Sequence, residues 1–292
     1  MTSVWTVATV HPARTRRRAR RRPGFRSPVV RRLIAEHQLD AVTIDGTGTA
    51  GRVSREDILR VLETPPQVEV VPLNRTQRLT GEHMVRSLHV APHAFIAIEV
   101  DFERVERERR VAGLTYLPFV ARAVIDAVAA CPRVNATVGD GELVLHHAVN
   151  LGIAVDLHHQ GLIVPVVRDA HSKRLGALAD EMRDLAARAR AKRLAADDVA
   201  GGTFTITNPG PSGTAISAPI IHQPQVAILS TDGVRRRPVV VEAADGTEAI
   251  AVHAVGMVGL SFDHRAFDGA YAAEFLARVR EIVETRPWEI EL

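Results

Sequence analysis

The stretch Ser261-Phe-Asp-His-Arg-Ala-Phe-Asp-Gly269 places His264 four residues before Asp268. An apolar run at 251–260 precedes it. Apolar residues at helical spacing follow it: Phe275, Leu276, Val279, Ile282 and Val283. The stretch therefore predicts a strand-to-helix junction, a place where a rigid scaffold often holds catalytic groups. A neutral imidazole can accept a proton near pH 7, and a nearby carboxylate can fix its geometry. The spacing is short, so a surface loop in which the two side chains never meet is an equal alternative at this point.

Composition indicates a soluble protein of one large domain, or of one domain and a small module, in 292 residues. No apolar run approaches the ~20 residues that a membrane span requires. The single cysteine, Cys131, permits no disulfide within the chain, which is typical of a reducing compartment, and we expect a cytoplasmic protein. Cys131 follows an apolar helical pattern, which favours a small buried side chain over a nucleophile.

Positive charge is concentrated at the start of the chain, where residues 1–26 contain eight arginines and no acid. The whole chain carries +3, so the remaining residues carry −5. A dense run of like charge resists folding, and we expect a basic disordered tail. A nucleic-acid-binding arm and a targeting peptide are alternatives. The acidic balance of the rest disfavours the first, and the missing apolar core disfavours a secretory signal.

Residues 27–63 have the pattern of a very small all-α domain. Ser27-Pro28 is a helix start, and Ser54 with Asp57 forms a capping pattern for a second helix. A glycine-rich loop at 46–51 lies between them. This loop lacks the Gly-Lys-Ser/Thr ending and the preceding strand of a phosphate-binding loop.

The sequence Ser-Pro-Val-Val-Arg-Arg-Leu-Ile-Ala-Glu-His, followed by Gly-Thr-Gly-x-x-Gly-Arg-Val-x-x-x-Asp-Ile, resembles the peripheral-subunit-binding domain of 2-oxo acid dehydrogenase complexes. In that family two helices and a loop hold a partner enzyme through basic side chains. The resemblance implies that Arg31 and Arg52 contact the partner. The implied partners are the 2-oxo acid decarboxylase (dehydrogenase) and dihydrolipoamide dehydrogenase components.

From 71 to 292, after a brief linker at 64–70, helix-like and strand-like pieces alternate, which indicates an α/β architecture with a mixed central sheet. The helical pieces lie at 74–88, 117–130 and 175–193. The strand-like pieces lie at 94–100, 149–155, 161–167, 204–207 and 226–229, and a hairpin turn is expected at Asp245-Gly246.

Seven segments of this region match, in order, the catalytic core of the dihydrolipoamide acyltransferases. They are Glu82-His-Met-Val-Arg-Ser, Pro132-Arg-Val-Asn-Ala, Asn150-Leu-Gly-Ile-Ala-Val-Asp, Gly161-Leu-Ile-Val-Pro-Val-Val, Gly201-Gly-Thr-Phe-Thr-Ile-Thr-Asn, Ala218-Pro-Ile-Ile and Asp263-His-Arg-x-x-Asp-Gly. The resemblance implies a chloramphenicol-acetyltransferase-like core at 71–292, and an enzyme that moves an acyl group between a dihydrolipoyl thiol and coenzyme A.

By this resemblance His264 is the base that deprotonates the attacking thiol, Asp268 supports the site, and Thr207 donates a hydrogen bond to the oxyanion. Asn208 and Asp156 match positions that contact coenzyme A, which is a substrate. In the family the histidine and the hydroxyl come from neighbouring chains, so the resemblance implies a homotrimer, with a larger shell as a further step. Trp288, Ile290 and Leu292 are expected to dock into an adjacent trimer.

Neither lysine of the chain, Lys173 or Lys192, has the Asp-Lys-Ala setting of a lipoylation site. We therefore expect the lipoyl group to be supplied in trans or by a missing N-terminal domain. The remaining histidines are scattered without metal-ligand spacing, and no metal is expected. Two alternatives remain open, a non-catalytic scaffold that recruits partner enzymes and an acetyltransferase that acts on a small molecule. The sequence leaves the acyl group open among acetyl, succinyl and branched groups.

Overall fold

A computed structural model describes residues 27–37, 39, 44–49, 51–63, 70–242 and 245–291. Two compact units share these residues, Met1–Pro72 and Leu73–Leu292. The predicted basic tail at 1–26 and the linker residues 64–69 lie outside the described residues. None of the described helices has the length and apolarity of a membrane span.

The first unit contains helices α1 (Pro28–Glu36) and α2 (Arg55–Glu63). Proline occupies the first turn of α1, where its missing N–H costs nothing. The small core consists of four buried side chains: Val30, Ile44, Val53 and Ile58. A core of this size gives a domain little stability of its own.

A buried carboxylate fastens the loop of this unit to α2. Asp57 is 2% exposed and accepts hydrogen bonds from the Ser54 N–H at 2.9 Å, the Thr47 N–H at 2.9 Å and the Thr47 hydroxyl at 2.8 Å. The Ser54 hydroxyl in turn accepts from the Asp57 N–H, which completes the predicted capping pattern. The backbone N–H of Ser54, followed by the groups of Thr47, holds the pKa of Asp57 well below its usual range.

The second unit contains five helices and eleven strands in its described residues. The helices are α3 (Arg75–Val90), α4 (Glu103–Ala112), α5 (Tyr116–Ala130), α6 (Leu175–Arg190) and α7 (Gly269–Thr285). The strands are β1 (His93–Asp101), β2 (Ala136–Val138), β3 (Leu143–Leu145), β4 (Leu151–Ile153), β5 (Val155–Asp156), β6 (Leu162–Ile163), β7 (Val166–Val167), β8 (Phe204–Thr207), β9 (Ala227–Thr231), β10 (Arg235–Glu242) and β11 (Glu248–Asp263).

The central sheet has the strand order β1-β11-β9-β8-β4-β7, and β10 pairs with the first half of β11. Strands β4, β8 and β9 run parallel to one another, whereas β1, β11 and β7 pair antiparallel with their neighbours. The sheet is therefore mixed, and the predicted α/β fold class with a small preceding helical part is confirmed. The carboxyl ends of the three parallel strands meet at one end of the sheet.

The apolar stripe that follows the opening motif forms the buried face of α7. All five of its predicted members are buried, and Phe275 of α7 packs on Phe204 of β8 with ring centroids 6.0 Å apart. Each such aromatic side chain contributes roughly 2–3 kcal/mol when it is removed from water. Cys131 also lies in the core, where burial raises the pKa of its thiol, as a structural role requires.

The charged helix α4 was missing from the sequence-based prediction, because its run of arginines and glutamates carries few apolar residues at helical spacing. Helix α4 ends at Gly113, which adopts the left-handed conformation that glycine accepts without strain. The two predicted strands at 149–155 and 161–167 are each broken in two. One half of each pairs within the central sheet, and the other forms the separate hairpin β5-β6.

The C-terminal segment corrects part of the docking hypothesis. Trp288 is fully buried in its own unit, where its ring stands edge-on to Phe119 at 5.2 Å and its indole N–H donates to the Val283 carbonyl at 3.1 Å. The prediction that Trp288 docks into a neighbouring trimer is therefore wrong. Ile290 is 73% exposed, and Leu292 lies outside the described residues.

Candidate active site

His264 occupies the junction between β11 and α7, as the sequence predicts. Its side chain is exposed, and its backbone N–H donates to the Pro92 carbonyl at 3.0 Å. Its ring lies 5.8 Å from that of Phe262, which is buried in the sheet. The imidazole is thus held at the end of a rigid strand with its nitrogen atoms accessible to a reactant.

The turn that carries His264 is fastened by the residues on either side of it. The carboxylate of Asp263 is almost fully buried and pairs with the Arg265 guanidinium, with Nη2 to Oδ2 at 2.6 Å and Nε to Oδ1 at 3.0 Å. The same carboxylate accepts the Arg265 backbone N–H at 3.0 Å. Sequence reasoning recognised these residues as part of a motif but missed their role, which is to fix the turn around the histidine.

Asp268 caps helix α7. Its carboxylate is exposed and accepts the Tyr271 N–H at 2.9 Å, the position of a helix N-cap. No hydrogen bond joins Asp268 to His264 among the residues that the structure describes. The structure therefore places Asp268 as the residue that fixes the start of α7, five positions after the end of β11.

Thr207 ends the parallel strand β8, between β4 and β9. Within the described part of the chain its hydroxyl makes no hydrogen bond. The side chain lines a cavity of about 140 Å³, together with apolar residues such as Met84, Val164 and Ile220. A hydroxyl without a partner at the edge of an apolar cavity is available to an incoming acceptor.

Asn208 lines a different cavity, of about 320 Å³, together with Arg109, Tyr116 and Asp232. Successive residues of a strand point to opposite faces, which explains why Thr207 and Asn208 open onto separate cavities. Arg109 lies over the Tyr116 ring at 4.3 Å.

The loop after Asn208 is tightly folded. The Asn208 side chain accepts the Gly210 N–H at 3.2 Å, and a Cβ at position 210 would lie 2.8 Å from the Asp232 carbonyl oxygen. The buried Asp232 carboxylate accepts hydrogen bonds from the hydroxyls of Thr214 and Ser217 at 2.7 and 2.9 Å. The Pro-Gly-Pro-Ser run therefore forms a defined turn against β9.

Glu106 orients Arg109 at the wall of the larger cavity. The Arg109 Nε and the Tyr116 hydroxyl both donate to the Glu106 carboxylate. Burial opposes ionisation of Glu106, but the hydrogen bonds from Tyr116, Arg109 and Arg110 outweigh burial and lower its pKa. Glu106 is therefore a fixed anion that compensates the charge of Arg109.

Asp156 ends β5 on the exposed surface, and its carboxylate accepts the His159 N–H at 3.1 Å. Two residues earlier, the Ala154 N–H donates to the Ile206 carbonyl at 2.9 Å, so this segment runs beside the end of β8. Asp156 thus belongs to the same end of the sheet as Thr207 and Asn208.

The strand register separates Thr207 from His264. Thr207 pairs with Ser230, which pairs with Gly259 of β11, and His264 lies five residues further along the chain, directly after the end of β11. Each residue adds about 3.3 Å and each neighbouring strand about 4.8 Å, so the two backbones lie roughly 19 Å apart in one chain. The two predicted catalytic groups therefore lie at opposite ends of the sheet, and side chains of this length cannot bridge that distance.

A pair of histidines near Thr207 was missed by sequence reasoning. The rings of His83 and His222 have centroids 4.6 Å apart, and His222 shares the Thr207 cavity. Burial, reinforced by the nearby His83, lowers the pKa of His222 to about 4. The two residues lie far apart in the chain, so no local pattern signals the pair. Among the described residues no group of three or more acids, histidines or cysteines is placed to hold a metal ion.

A family model described as "2-oxoacid dehydrogenases acyltransferase (catalytic domain)" matches residues 65–292. This chain belongs to the 2-oxoacid dehydrogenase acyltransferase family. A second model, described as "e3 binding domain", matches residues 25–59 of this acyltransferase family member. The predicted family is thereby confirmed for both parts of the chain.

Two curated relatives of this acyltransferase family member differ in acyl group. The chain is 34% identical over 302 residues to the dihydrolipoyllysine-residue acetyltransferase component of the pyruvate dehydrogenase complex of Corynebacterium glutamicum, with 91% of this chain and 44% of that protein covered. It is 30% identical over 288 residues to the dihydrolipoyllysine-residue succinyltransferase component of the 2-oxoglutarate dehydrogenase complex of Escherichia coli, with 88% and 70% covered. The chain spans about half the length of the first curated relatives that it matches.

Among solved structures, the acyltransferase unit is similar to dihydrolipoamide acetyltransferase of Azotobacter vinelandii. The TM-score is 0.69 at 32% identity, with 75% of this chain and 96% of that chain covered. That study concerned the roles of one serine, one histidine and one asparagine in the catalytic mechanism. The histidine and the asparagine are four positions apart there, the separation of His264 and Asp268 here.

The two residues predicted to contact a partner enzyme both lie in the "e3 binding domain" match. Arg31 is exposed on α1, and Arg52 is exposed in the loop before α2, where its carbonyl accepts the Gly48 N–H at 2.9 Å. The loop that carries Arg52 is the one that Asp57 fastens, so this arginine is presented by a fixed backbone.

Proposed function

We propose that this protein is an acyltransferase that moves an acyl group between a dihydrolipoyl thiol and coenzyme A within a 2-oxo acid dehydrogenase complex. The observation that carries the proposal is the pair of accessible groups at the two ends of one sheet. An exposed imidazole, His264, follows β11, and a hydroxyl without a partner, Thr207, ends β8. Family membership and the names of the relatives support the substrates.

The proposed reaction begins when the imidazole of His264 takes the proton from the attacking thiol, because a thiol is a weak nucleophile until it is deprotonated. The thiolate forms a bond to the thioester carbonyl carbon, and the carbonyl electrons move onto oxygen. The Thr207 hydroxyl donates a hydrogen bond to this oxyanion. The intermediate then breaks the bond to the second sulfur, which leaves as a thiolate and takes the proton back from the imidazolium.

A complete site requires two chains. The His264 end of one chain meets the Thr207 end of the next, which is a head-to-tail contact that closes into a ring. We propose a homotrimer, in agreement with the expectation from sequence. The exposed Ile290 supports contacts between trimers in a larger shell.

Coenzyme A is proposed to reach the Thr207 end of the sheet past Asn208 and Asp156. The cavity beside Asn208 supports this assignment, because it opens on the other face of the same strand end as Thr207. The acyl group arrives on a lipoyl group that another protein or a preceding domain supplies. His264 and Thr207 need no metal for this chemistry.

Arg31 and Arg52 are proposed to bind the dihydrolipoamide dehydrogenase or 2-oxo acid decarboxylase component of the complex. Exposed arginines steer an acidic partner electrostatically, so the association is expected to weaken as salt concentration rises. The fixed loop that carries Arg52 supports a preformed binding surface.

Acylation of coenzyme A, measured with S-acyl dihydrolipoamide, tests the catalytic proposal. Wild type is expected to form acyl-coenzyme A, and His264→Ala is expected to lose at least about 10²-fold in kcat, the usual range for a general base. Equal activity of the two proteins would remove the assignment of His264 as the base. No activity in the wild type would instead favour the non-catalytic scaffold.

A further inference from the structure

The cavity beside Thr207 begins where the reacting carbonyl must lie. In the proposed reaction the oxyanion lies about 3 Å from the Thr207 hydroxyl. The acyl carbon is bonded to that oxygen, so the acyl chain starts at the mouth of this cavity. Its volume of about 140 Å³ is close to that of an engineered apolar cavity that holds a benzene-sized group of about six carbons.

The described lining of this cavity contains no arginine, lysine, aspartate or glutamate. Its polar side chains are Thr205, Thr207 and His222. The Thr205 hydroxyl is already used, since it donates to the Gln225 side chain at 2.7 Å. The Thr207 hydroxyl and the His222 ring are therefore the two polar groups that would face an acyl chain in this cavity.

The imidazole of His222 carries no charge near pH 7, because burial and the nearby His83 lower its pKa to about 4. A carboxylate at the far end of an acyl chain would lose its hydration on entering this cavity and would find no cationic side chain there to pair with. Such a group is strongly disfavoured in an apolar site.

His222 also separates the Thr207 cavity from two others. One, of about 250 Å³, is lined by His83 and Leu79, and the other, of about 200 Å³, by Gly202 and Gln223. Val164 and His222 line all three cavities. The two side chains thus form a partition between the Thr207 cavity and its neighbours.

We infer that the Thr207 cavity is the acyl pocket and that His222 determines its specificity, by admitting short uncharged acyl groups and excluding long or negatively charged ones. The expected substrates carry acetyl or short branched acyl groups, and a succinyl group is excluded. This inference rests on the acyl transfer proposed above and specifies its substrate class.

The test compares acetyl-, isobutyryl-, succinyl- and octanoyl-coenzyme A as acyl donors to dihydrolipoamide. For the wild type, kcat/KM is expected to be at least about 100-fold higher for acetyl and isobutyryl than for succinyl and octanoyl. His222→Ala joins the cavities, so its octanoyl-to-acetyl ratio is expected to rise about tenfold or more. Val164→Ala removes part of the same partition without changing a titratable group. It is expected to raise the octanoyl-to-acetyl ratio and to leave succinyl-coenzyme A excluded.

His222→Arg supplies the missing cation and is expected to raise the succinyl-to-acetyl ratio about tenfold or more. The inference is overturned if wild type uses succinyl-coenzyme A within tenfold of acetyl-coenzyme A. It is also overturned if His222→Ala and Val164→Ala both retain the chain-length preference of the wild type.

Binding of unreactive thioethers separates this inference from the proposed reaction. S-ethyl-, S-octyl- and S-(3-carboxypropyl)-coenzyme A are titrated calorimetrically into wild type, His222→Ala and His264→Ala. A protein that binds the ethyl thioether most tightly but turns over no thioester supports the acyl pocket and contradicts the proposed reaction. A protein that transfers acyl groups but binds the three thioethers equally contradicts the pocket.

Discussion

Replacement of Thr207 by valine removes one hydroxyl and preserves the shape of the side chain. In the free protein this hydroxyl has no hydrogen-bond partner among the described residues, so its loss leaves no buried group unsatisfied. Valine is also at least as favourable as threonine in a strand. The free energy of unfolding is therefore expected to change by less than about 0.5 kcal/mol.

The expected loss of activity is large, because the hydroxyl is proposed to act on the oxyanion. Removal of one oxyanion donor typically raises the barrier by about 3–4 kcal/mol, which is a 10²–10³-fold fall in kcat. The KM for the acyl donor is expected to stay within a few fold, since this hydrogen bond strengthens only in the transition state. Thr207→Ser restores the hydroxyl and is expected to recover most of the rate.

Thr203→Val is the matched control, because Thr203 precedes the same strand. Its hydroxyl is buried and accepts the Asn150 N–H at 3.0 Å, and it does not line the Thr207 cavity. This change leaves the Asn150 N–H without its acceptor and is expected to cost about 1–2 kcal/mol of stability. Its kcat is expected to stay within about threefold of wild type.

Steady-state acyl transfer and urea denaturation, measured on all four proteins, compare activity with stability. The account requires Thr207→Val to lose activity but not stability, and Thr203→Val to lose stability but not activity. A Thr207→Val enzyme within threefold of the wild-type kcat would refute the role of the hydroxyl.

Three further changes test other contacts. Arg265→Met leaves the buried Asp263 carboxylate without its guanidinium, which is expected to cost about 2 kcal/mol of stability, a value reduced because Arg265 is partly exposed. The kcat is expected to fall as well, because the turn that holds His264 loosens. Denaturation and steady-state kinetics measure the two effects, and an unchanged enzyme would contradict the positioning role. Because the pKa of Asp57 is held below its ordinary value, its carboxylate stabilises the first unit above about pH 4, and this stability declines as the pH falls further. Asp57→Asn is expected to lower the melting temperature of this unit at pH 7 and to flatten the decline in acid. An acid profile equal to that of wild type would contradict the stabilising role of the carboxylate. The pKa of His222 is about 4 in the folded protein and about 6.5 in the unfolded chain, so the unfolded chain binds the extra proton between these pH values. The free energy of unfolding of the wild type is therefore expected to fall by roughly 3 kcal/mol between pH 6.5 and pH 4. His222→Gln should remove this part of the pH dependence in urea denaturation, and an unchanged pH dependence would exclude a buried neutral imidazole.

Local patterns predicted the elements that hold the site. The apolar run before His264 and the helical stripe after it gave the strand-to-helix junction, since side-chain periodicity reports local structure directly. The boundaries of β8 at Phe204–Thr207 were correct, and the hairpin turn at 245–246 lies between β10 and β11 as predicted.

Contacts between distant residues could not be predicted in the same way. The separation of Thr207 from His264 depends on the order and register of three strands, which no single stretch encodes. The partners of the scattered histidines are likewise set by the fold. His253 bonds the Asp101 carboxylate at 2.5 Å, His146 bonds the Thr137 hydroxyl at 2.9 Å, and His171 accepts the Val149 N–H at 3.3 Å.

The charged helix α4 was hidden because its stability comes from packing and from ion pairs such as Arg236 with Glu103, not from an apolar stripe. The C-terminal Trp288 was expected to dock into an adjacent trimer because the resemblance implied that the apolar residues of the terminus are exposed. In the structure its ring fills a place in the core beside Phe119 that only the tertiary fold creates.

Subunit complementation tests the central claim, that His264 and Thr207 of different chains form each site. His264→Ala and Thr207→Val chains with different tags are co-expressed, and assemblies that contain both are purified. In a head-to-tail trimer that contains both chains, one interface of the three joins an intact His264 end to an intact Thr207 end, so activity per site should return to about a third of wild type. Activity no higher than the sum of the two inactive parents would show that both groups act within one chain and would contradict the account.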